Sequence, residues 1–236
     1  MRSPFLLASL GLLLALHGCT STSTLTSADR KVAVTQLPIS LEKHYFDRAV
    51  QTPSQVSVDH NQSANTNWDF HCRPRFQFDL IEKKTVGTIV VVKIKVKSAQ
   101  VEISAPITIY LPSTAKPEVL SHEDGHVKIC RQVYESVAGQ AALSATEALI
   151  GKEFKGSGKT LEEACQLALN RAGQELGRAY RKQTVEVVNL VSAYYDQFAL
   201  QHAEPQFVDS CVEAAFHLQQ GKPLRKVEQP PTERTE

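Results

Sequence analysis

VEISAPITIYLPSTAKPEVLSHEDGH, residues 101–126, changes its hydrophobic period part-way along. Val101, Ile103, Ile107 and Ile109 alternate with Glu102, Ser104 and Thr108, the period of a half-buried strand. After Leu111-Pro112 the spacing widens to three and four, through Val119, Glu123, His126, Cys130, Val133 or Tyr134, and Val137. Ser113 and Thr114 are candidate N-caps, Pro117 suits a first helical turn, Glu118 meets the positive end of the helix dipole, and Gly139 offers a stop. The spacing predicts a helix of about six turns ending there. A switch from strand to helix at this point predicts an α+β fold, an N-terminal antiparallel β part packed on a C-terminal helical part.

Upstream, Val90, Val92, Ile94 and Val96 face one way and Lys93, Lys95 and Lys97 the other, predicting a strand over 88–97 that turns near Ser98 to Gln100 into the strand over 101–111. The lysine stripe reads as a solvated face that also discourages edge pairing. Phe76, Phe78 and Leu80 suggest an earlier strand, and Pro38 to Phe46 and Gln55 to Val58 suggest others. Downstream, Thr160 and Glu163 form a capping box. From Leu161 a three-to-four rhythm runs as far as His202, as one long helix or two with a break near Gly177. Pro205 separates it from a last short helix over Asp209 to Gln219.

The run His122-Glu123-Asp124-Gly125-His126 matches H-E-x-x-H, and with only 8 His in 236 residues such a match is uncommon by chance. Residues four apart share a helix face, so His122 and His126 can bind one metal ion while Glu123 flanks its open position as a base. Asp124-Gly125 is a poor helix pair, which points to a close backbone approach there. A catalytic zinc takes three protein ligands and keeps a fourth position open. The metzincin extension is missing, because Val127 to Gln132 holds no further Gly or His. The remaining source is the second helix, where Tyr195 and His202 share a stripe. His202 is the favoured third ligand and Asp196 the fallback. Tyr195 can donate to an oxyanion or, equally, hold two helices together. Cys130 is one turn beyond His126 but is the less suitable ligand in an oxidising compartment. Gly156-Ser157-Gly158-Lys159-Thr160 imitates a phosphate loop, yet Glu153 stands where its first glycine belongs, so it reads as a turn before a capped helix and no nucleotide is expected.

The N-terminus indicates export. Met1-Arg2, the apolar run from Phe5 to Leu16, and Gly18-Cys19 resemble a bacterial lipoprotein signal over 1–18, with lipid on Cys19 and plain secretory cleavage or an uncleaved anchor as the alternatives. Thr20 after the cysteine favours the outer membrane by that resemblance. Residues 19–38, rich in Ser and Thr, read as a flexible tether, 39–219 as a single domain (39–112 β-rich, 113–219 helical) and 220–236 as a disordered tail. Cys72, Cys130, Cys165 and Cys211 then suit two disulfides, with Cys72 to Cys165 and Cys130 to Cys211 the first pairing to test and buried free thiols the alternative. A formal charge of +1 with 22% charged residues argues against nucleic acid as a partner. Trp68, the sole tryptophan, is expected in the core before the site.

Taken in order, Trp68-Asp69-Phe70, Ile109-Tyr110-Leu111-Pro112, His122 to His126, Cys165-Gln166-Leu167, and Tyr195-Asp196 with His202 resemble a bacterial family, a domain of unknown function described as predicted secreted Zn-dependent proteases. The likeness spans roughly Ser40 to His202. Ala203 stands where that pattern has Gly. The resemblance implies a lipid-anchored, periplasm-facing zinc metallopeptidase acting on a peptide or protein. His122, His126 and His202 would be its ligands, and Glu123 the general base. A non-catalytic envelope lipoprotein that binds a partner, with zinc structural or absent, is the reading of a different class.

Overall fold

Two mixed sheets frame the helices in the computed structural model, which describes residues 22–47, 64–200 and 205–221. The first sheet is built on one long hairpin, β5 (His71–Val86) and β6 (Ile89–Ser104). On the other edge of β6, β2 (Val32–Gln36) pairs with the C-terminal half, Ala99 to Ile103, and β8 (Glu153–Gly158) pairs with the N-terminal half. β1 (Ser23–Thr26) closes the end beyond β2. The second sheet has the order β3 (Ser40–Phe46), β7 (Pro106–Pro112), β4 (Asn65–Trp68).

The α+β class holds, but the β part is mixed and not purely antiparallel: β2 runs parallel to β6, and β3 parallel to β7. A parallel pair needs a long crossover, and the segments between these strands supply one each time. β6 also corrects the turn expected near Ser98. It runs straight through, because Gln77 faces Ser98 while the next residue, Phe78, faces Val96, leaving Lys97 as the extra residue of a bulge. The bulge moves the buried set from Val92, Ile94 and Val96 to Ala99, Val101 and Ile103. That phase change is what a turn would also produce.

The tether expected over 19–38 contains two strands, and Val32 and Val34 lie fully buried. Ser/Thr-rich composition concealed them, since only those two valines alternate inward. Gln55 to Val58, Cys19 and the signal segment lie outside the described residues, as does the tail beyond 221. Among the described residues, no helix is long and apolar enough to cross a membrane. Cys72, Cys130, Cys165 and Cys211 are all free thiols, so the two expected disulfides are not formed. Cys130 and Cys211 sit deep in the apolar core as small hydrophobes, whereas Cys72 and Cys165 are half-buried at its margin.

α1 (Pro117–Val133) carries the H-E-x-x-H run. Lys116 precedes it without a side-chain cap, so Ser113 and Thr114 are not its caps, and Pro117 with Glu118 marks the start instead. Gly139 does not stop it. A π turn over Tyr134–Ala138 leads directly into α2 (Gly139–Glu147). The carbonyl of Tyr134, loosened by the π turn, accepts from Gln36 Nε2 at 2.8 Å, and its hydroxyl donates to the Leu37 and Ile103 carbonyls. α3 (Leu161–Gln183) and α4 (Val185–Ala199) break at Thr184 and not at Gly177. Thr184 Oγ1 donates to the Tyr180 carbonyl inside the core. A 3-10 turn (Pro205–Phe207) and α5 (Val208–Gln219) follow.

The capping box is present: Thr160 Oγ1 accepts from the Glu163 amide at 3.1 Å, and Glu163 Oε2 accepts from the Lys159 amide at 2.6 Å. Before it stands β8, a strand where a turn was expected. A Cβ on Gly156 would lie 1.9 Å from the Ala164 carbonyl oxygen, so the glycine exists to bring this strand against α3.

Candidate metal centre

Five elements meet around one point: α1 is packed against β4 and β7 and against α4 and α5. His122 and His126 project from successive turns of α1, and Asp196 from the last turn of α4. His126 Nε2 lies 3.1 Å from Asp196 Oδ1, His122 Nε2 lies 3.3 Å from the same oxygen, and the two Nε2 atoms are 3.3 Å apart. Ligands at about 2.0–2.1 Å from a tetrahedral zinc stand about 3.3–3.4 Å from one another. The three donors therefore already outline one face of such a tetrahedron, and this His/His/Asp group can hold a metal ion. Asp196, the fallback ligand, stands with His122 and His126, while the favoured ligand His202 lies outside the described residues. His126 Nδ1 is buried without a hydrogen-bond partner among the described residues.

Electrostatics binds the trio together. The hydrogen bond to Asp196 raises the pKa of the His122 imidazole. Burial alone would raise Asp196, but the bonds from His122 and His126 outweigh it and hold the carboxyl below its usual range. A carboxylate beside two imidazoles is an electron-rich donor set suited to a divalent cation, which would replace the proton shared there. Cys130 takes no part. Its side chain is in the core, and burial pushes the thiol up to about 12.

Glu123 is buried next to the trio, and its Oε2 accepts a 2.6 Å hydrogen bond from Thr66 Oγ1 on β4. Thr66 is itself buried. No signal in the sequence singled it out, because β4 is a four-residue strand with a single buried position between half-buried and exposed neighbours. Trp68, two residues on, is half-buried and stacks on the His126 ring at 6.1 Å between centroids, while its Nε1 donates to Asn189 Oδ1 at 3.2 Å. It belongs to the wall of the site, not to the deep core.

Tyr195 supports the site from behind. Its hydroxyl donates to the His122 carbonyl at 3.1 Å, and its ring stacks on the His122 ring at 5.2 Å. The phenolic proton is thus engaged within the fold, and burial raises the phenol's pKa further. Of the two roles expected for Tyr195, this geometry is that of the residue holding two helices together. Gly125 makes room for it: a Cβ there would fall 2.2 Å from the Tyr195 hydroxyl oxygen. The close approach expected at Asp124-Gly125 is this one.

Two cavities flank the trio. One, of about 540 Å³, is lined by Thr66, Trp68, Asn189 and Ser192 together with His122, Glu123, His126 and Asp196. The other, of about 450 Å³, is lined by Val119, Ala199, Leu200, Val208 and Cys211 together with His122, Glu123 and Asp196. Asn189, Ser192 and Asp196 form a polar stripe at helical spacing along the largely apolar α4, a signal of the site that the sequence itself carries. Compared with known protein families, curated proteins and solved structures, the chain matches none.

Proposed function

We propose that this chain is a zinc-dependent peptidase, held on the bacterial envelope by lipid on Cys19 and acting on a peptide or protein in the periplasm. The observation that carries the reading is the donor triangle of His122, His126 and Asp196, 3.1–3.3 Å on a side, with a buried glutamate beside it. Zinc held there would supply Lewis acidity, polarising a carbonyl and bringing a water pKa toward about 7. Glu123 does the proton work. Thr66 engages Oε2, leaving Oε1 to accept a proton from the attacking water. The water oxygen stays on the carbonyl carbon, the C–N bond breaks, and the amine leaves with the proton that Glu123 carried. Asp196 gives charge to the metal set, and Tyr195 holds His122 at the angle needed.

Zinc content of the purified chain is the first measurement, with one equivalent per chain expected. Glu123→Gln should retain that zinc and lose cleavage by about 10²–10⁴-fold, the usual weight of a general base. Proteolysis at the wild-type rate in Glu123→Gln would sink the assignment. A chain that holds no zinc would favour the partner-binding lipoprotein.

A further inference from the structure

The two cavities share His122, Glu123 and Asp196, and their remaining walls differ in kind. On one side stand Thr66, Asn189 and Ser192, on the other Val119, Ala199, Leu200 and Val208. Both volumes, about 540 and 450 Å³, fall within the range of ligand pockets. Two side chains add independent observations. Ser192 is 5% exposed, lines the polar chamber, and its Oγ has no hydrogen-bond partner among the described residues, although a buried hydroxyl ordinarily has one. Leu200, at the rim of the apolar chamber, is 85% exposed, the most of any large hydrophobic side chain among the described residues. Among the described residues, neither chamber is lined by a Lys or Arg, while Glu118, Glu123 and Asp196 add acidic groups to the passage. Among those residues a terminal carboxylate would find no Lys or Arg to pair with.

We infer that the centre is an endopeptidase site straddled by its substrate, with an apolar side chain flanking the scissile bond in the Val119–Ala199–Leu200–Val208 chamber and the peptide main chain bonded by Ser192 in the polar one. The inference rests on the peptidase reading and gives it a substrate class: an extended internal segment bearing Leu, Phe or a similar residue beside the cleaved bond. Ser192 is a positioning residue, since it binds the main chain at a distance from the reacting carbon. Its neighbour three residues on along the helix face, Tyr195, and Asp196 next to it tie its placement to that of the metal trio.

The test uses the zinc-loaded full chain and internally quenched decapeptides that differ at one position, Leu, Phe, Ala or Asp, each with free or blocked ends. Leu and Phe peptides should be cleaved at least about ten-fold faster in kcat/KM than the Asp peptide, a ratio within reach of one apolar pocket. Blocking the ends should change nothing. Calorimetry with zinc-loaded Glu123→Gln, which binds without cleaving, should show the same order of affinities. Ala199→Trp, at a half-buried position on the chamber wall, should erase the Leu and Phe preference while zinc stoichiometry persists. Ser192→Ala should weaken binding of every peptide about five-fold, the worth of one hydrogen bond, with selectivity kept. Equal rates for Leu and Asp peptides, a requirement for a free terminus, or an equal loss on all peptides in Ala199→Trp would overturn this inference and leave the peptidase reading standing. Neither cleavage nor binding of any peptide by the zinc-loaded chain would overturn both.

Discussion

At Gly125 and at Gly156 the chain solves the same steric problem in two regions, with opposite chemical results. In each place a side chain would collide with a packed neighbour, the Tyr195 hydroxyl at 2.2 Å in one case and the Ala164 carbonyl at 1.9 Å in the other. Around Gly125 the element that closes in is α4, and it delivers Asp196 to His122 and His126. Around Gly156 it is α3, whose facing residues Ala164 and Ala168 are buried and bring no side-chain donor or acceptor. Each glycine sits in a motif that promises chemistry, a metal helix and a phosphate loop. The difference teaches that such a motif acquires function from what the neighbouring helix brings to it. Contact alone is packing.

The sharpest way to break this comparison is at the donors. His126→Ala should lower zinc affinity by more than about 100-fold, beyond the cost of losing an outer support, with the fold retained in circular dichroism. Competition against a chromophoric chelator reads it directly. Acidification should act in the same direction. Because Asp196 raises the pKa of His122, protons compete with the metal from a higher pH than at an isolated imidazole, and zinc affinity should begin to weaken once pH falls below that raised value. Zinc held equally well by His126→Ala would mean that the triangle is not the metal site.

Next come the two glycines. Gly125→Ala drives the Tyr195 hydroxyl off the His122 carbonyl, and zinc affinity should drop about 10-fold to 100-fold, as for other lost supports of metal-bound histidines. Gly156→Ala should instead destabilise the fold by about 1–3 kcal/mol, the cost of overpacking, and leave zinc affinity per folded chain untouched. Thermal melts beside zinc titrations separate these. If both variants lost zinc alike, the two regions would be coupled and the contrast would fail.

The legibility of the molecule from its sequence follows the same division. The H-E-x-x-H helix and the capping residue Thr160 are readable because each is local, and the poor helix pair Asp124-Gly125 announces a close approach without naming Tyr195 as its partner. What depends on distant partners is harder. The stretch after Lys97 reads as a turn because a bulge and a turn shift hydrophobic phase alike, and only the opposite strand, β5, distinguishes them. β2 hides in a Ser/Thr-rich stretch because pairing with β6 supplies most of what makes it a strand. Asp196 ranks below His202 because histidine is the commoner ligand, and only the packing of α4 on α1 shows that Asp196 reaches His122 and His126. Thr66 is invisible for the same reason.

Thr66 gives the smallest expected effect and the finest test of what a neighbour brings. β4 contributes nothing to the donor triangle; it contributes one hydroxyl, donated at 2.6 Å to Glu123 Oε2 in a buried setting. Thr66→Val keeps the shape and removes that donor, so Glu123 keeps its place on α1 but loses the bond that selects its rotamer. A hydrogen bond to a charged group contributes about 1.5–3 kcal/mol, and part of that is recovered by water entering the polar chamber, so kcat should fall about ten-fold. KM and zinc stoichiometry should stay at wild-type values. Thr66→Ser, which restores the hydroxyl without the methyl group, should recover most of the rate, an outcome that a purely packing role for Thr66 would not produce. Full activity in Thr66→Val would show that α1 alone orients the base and that β4 serves the site only as a wall.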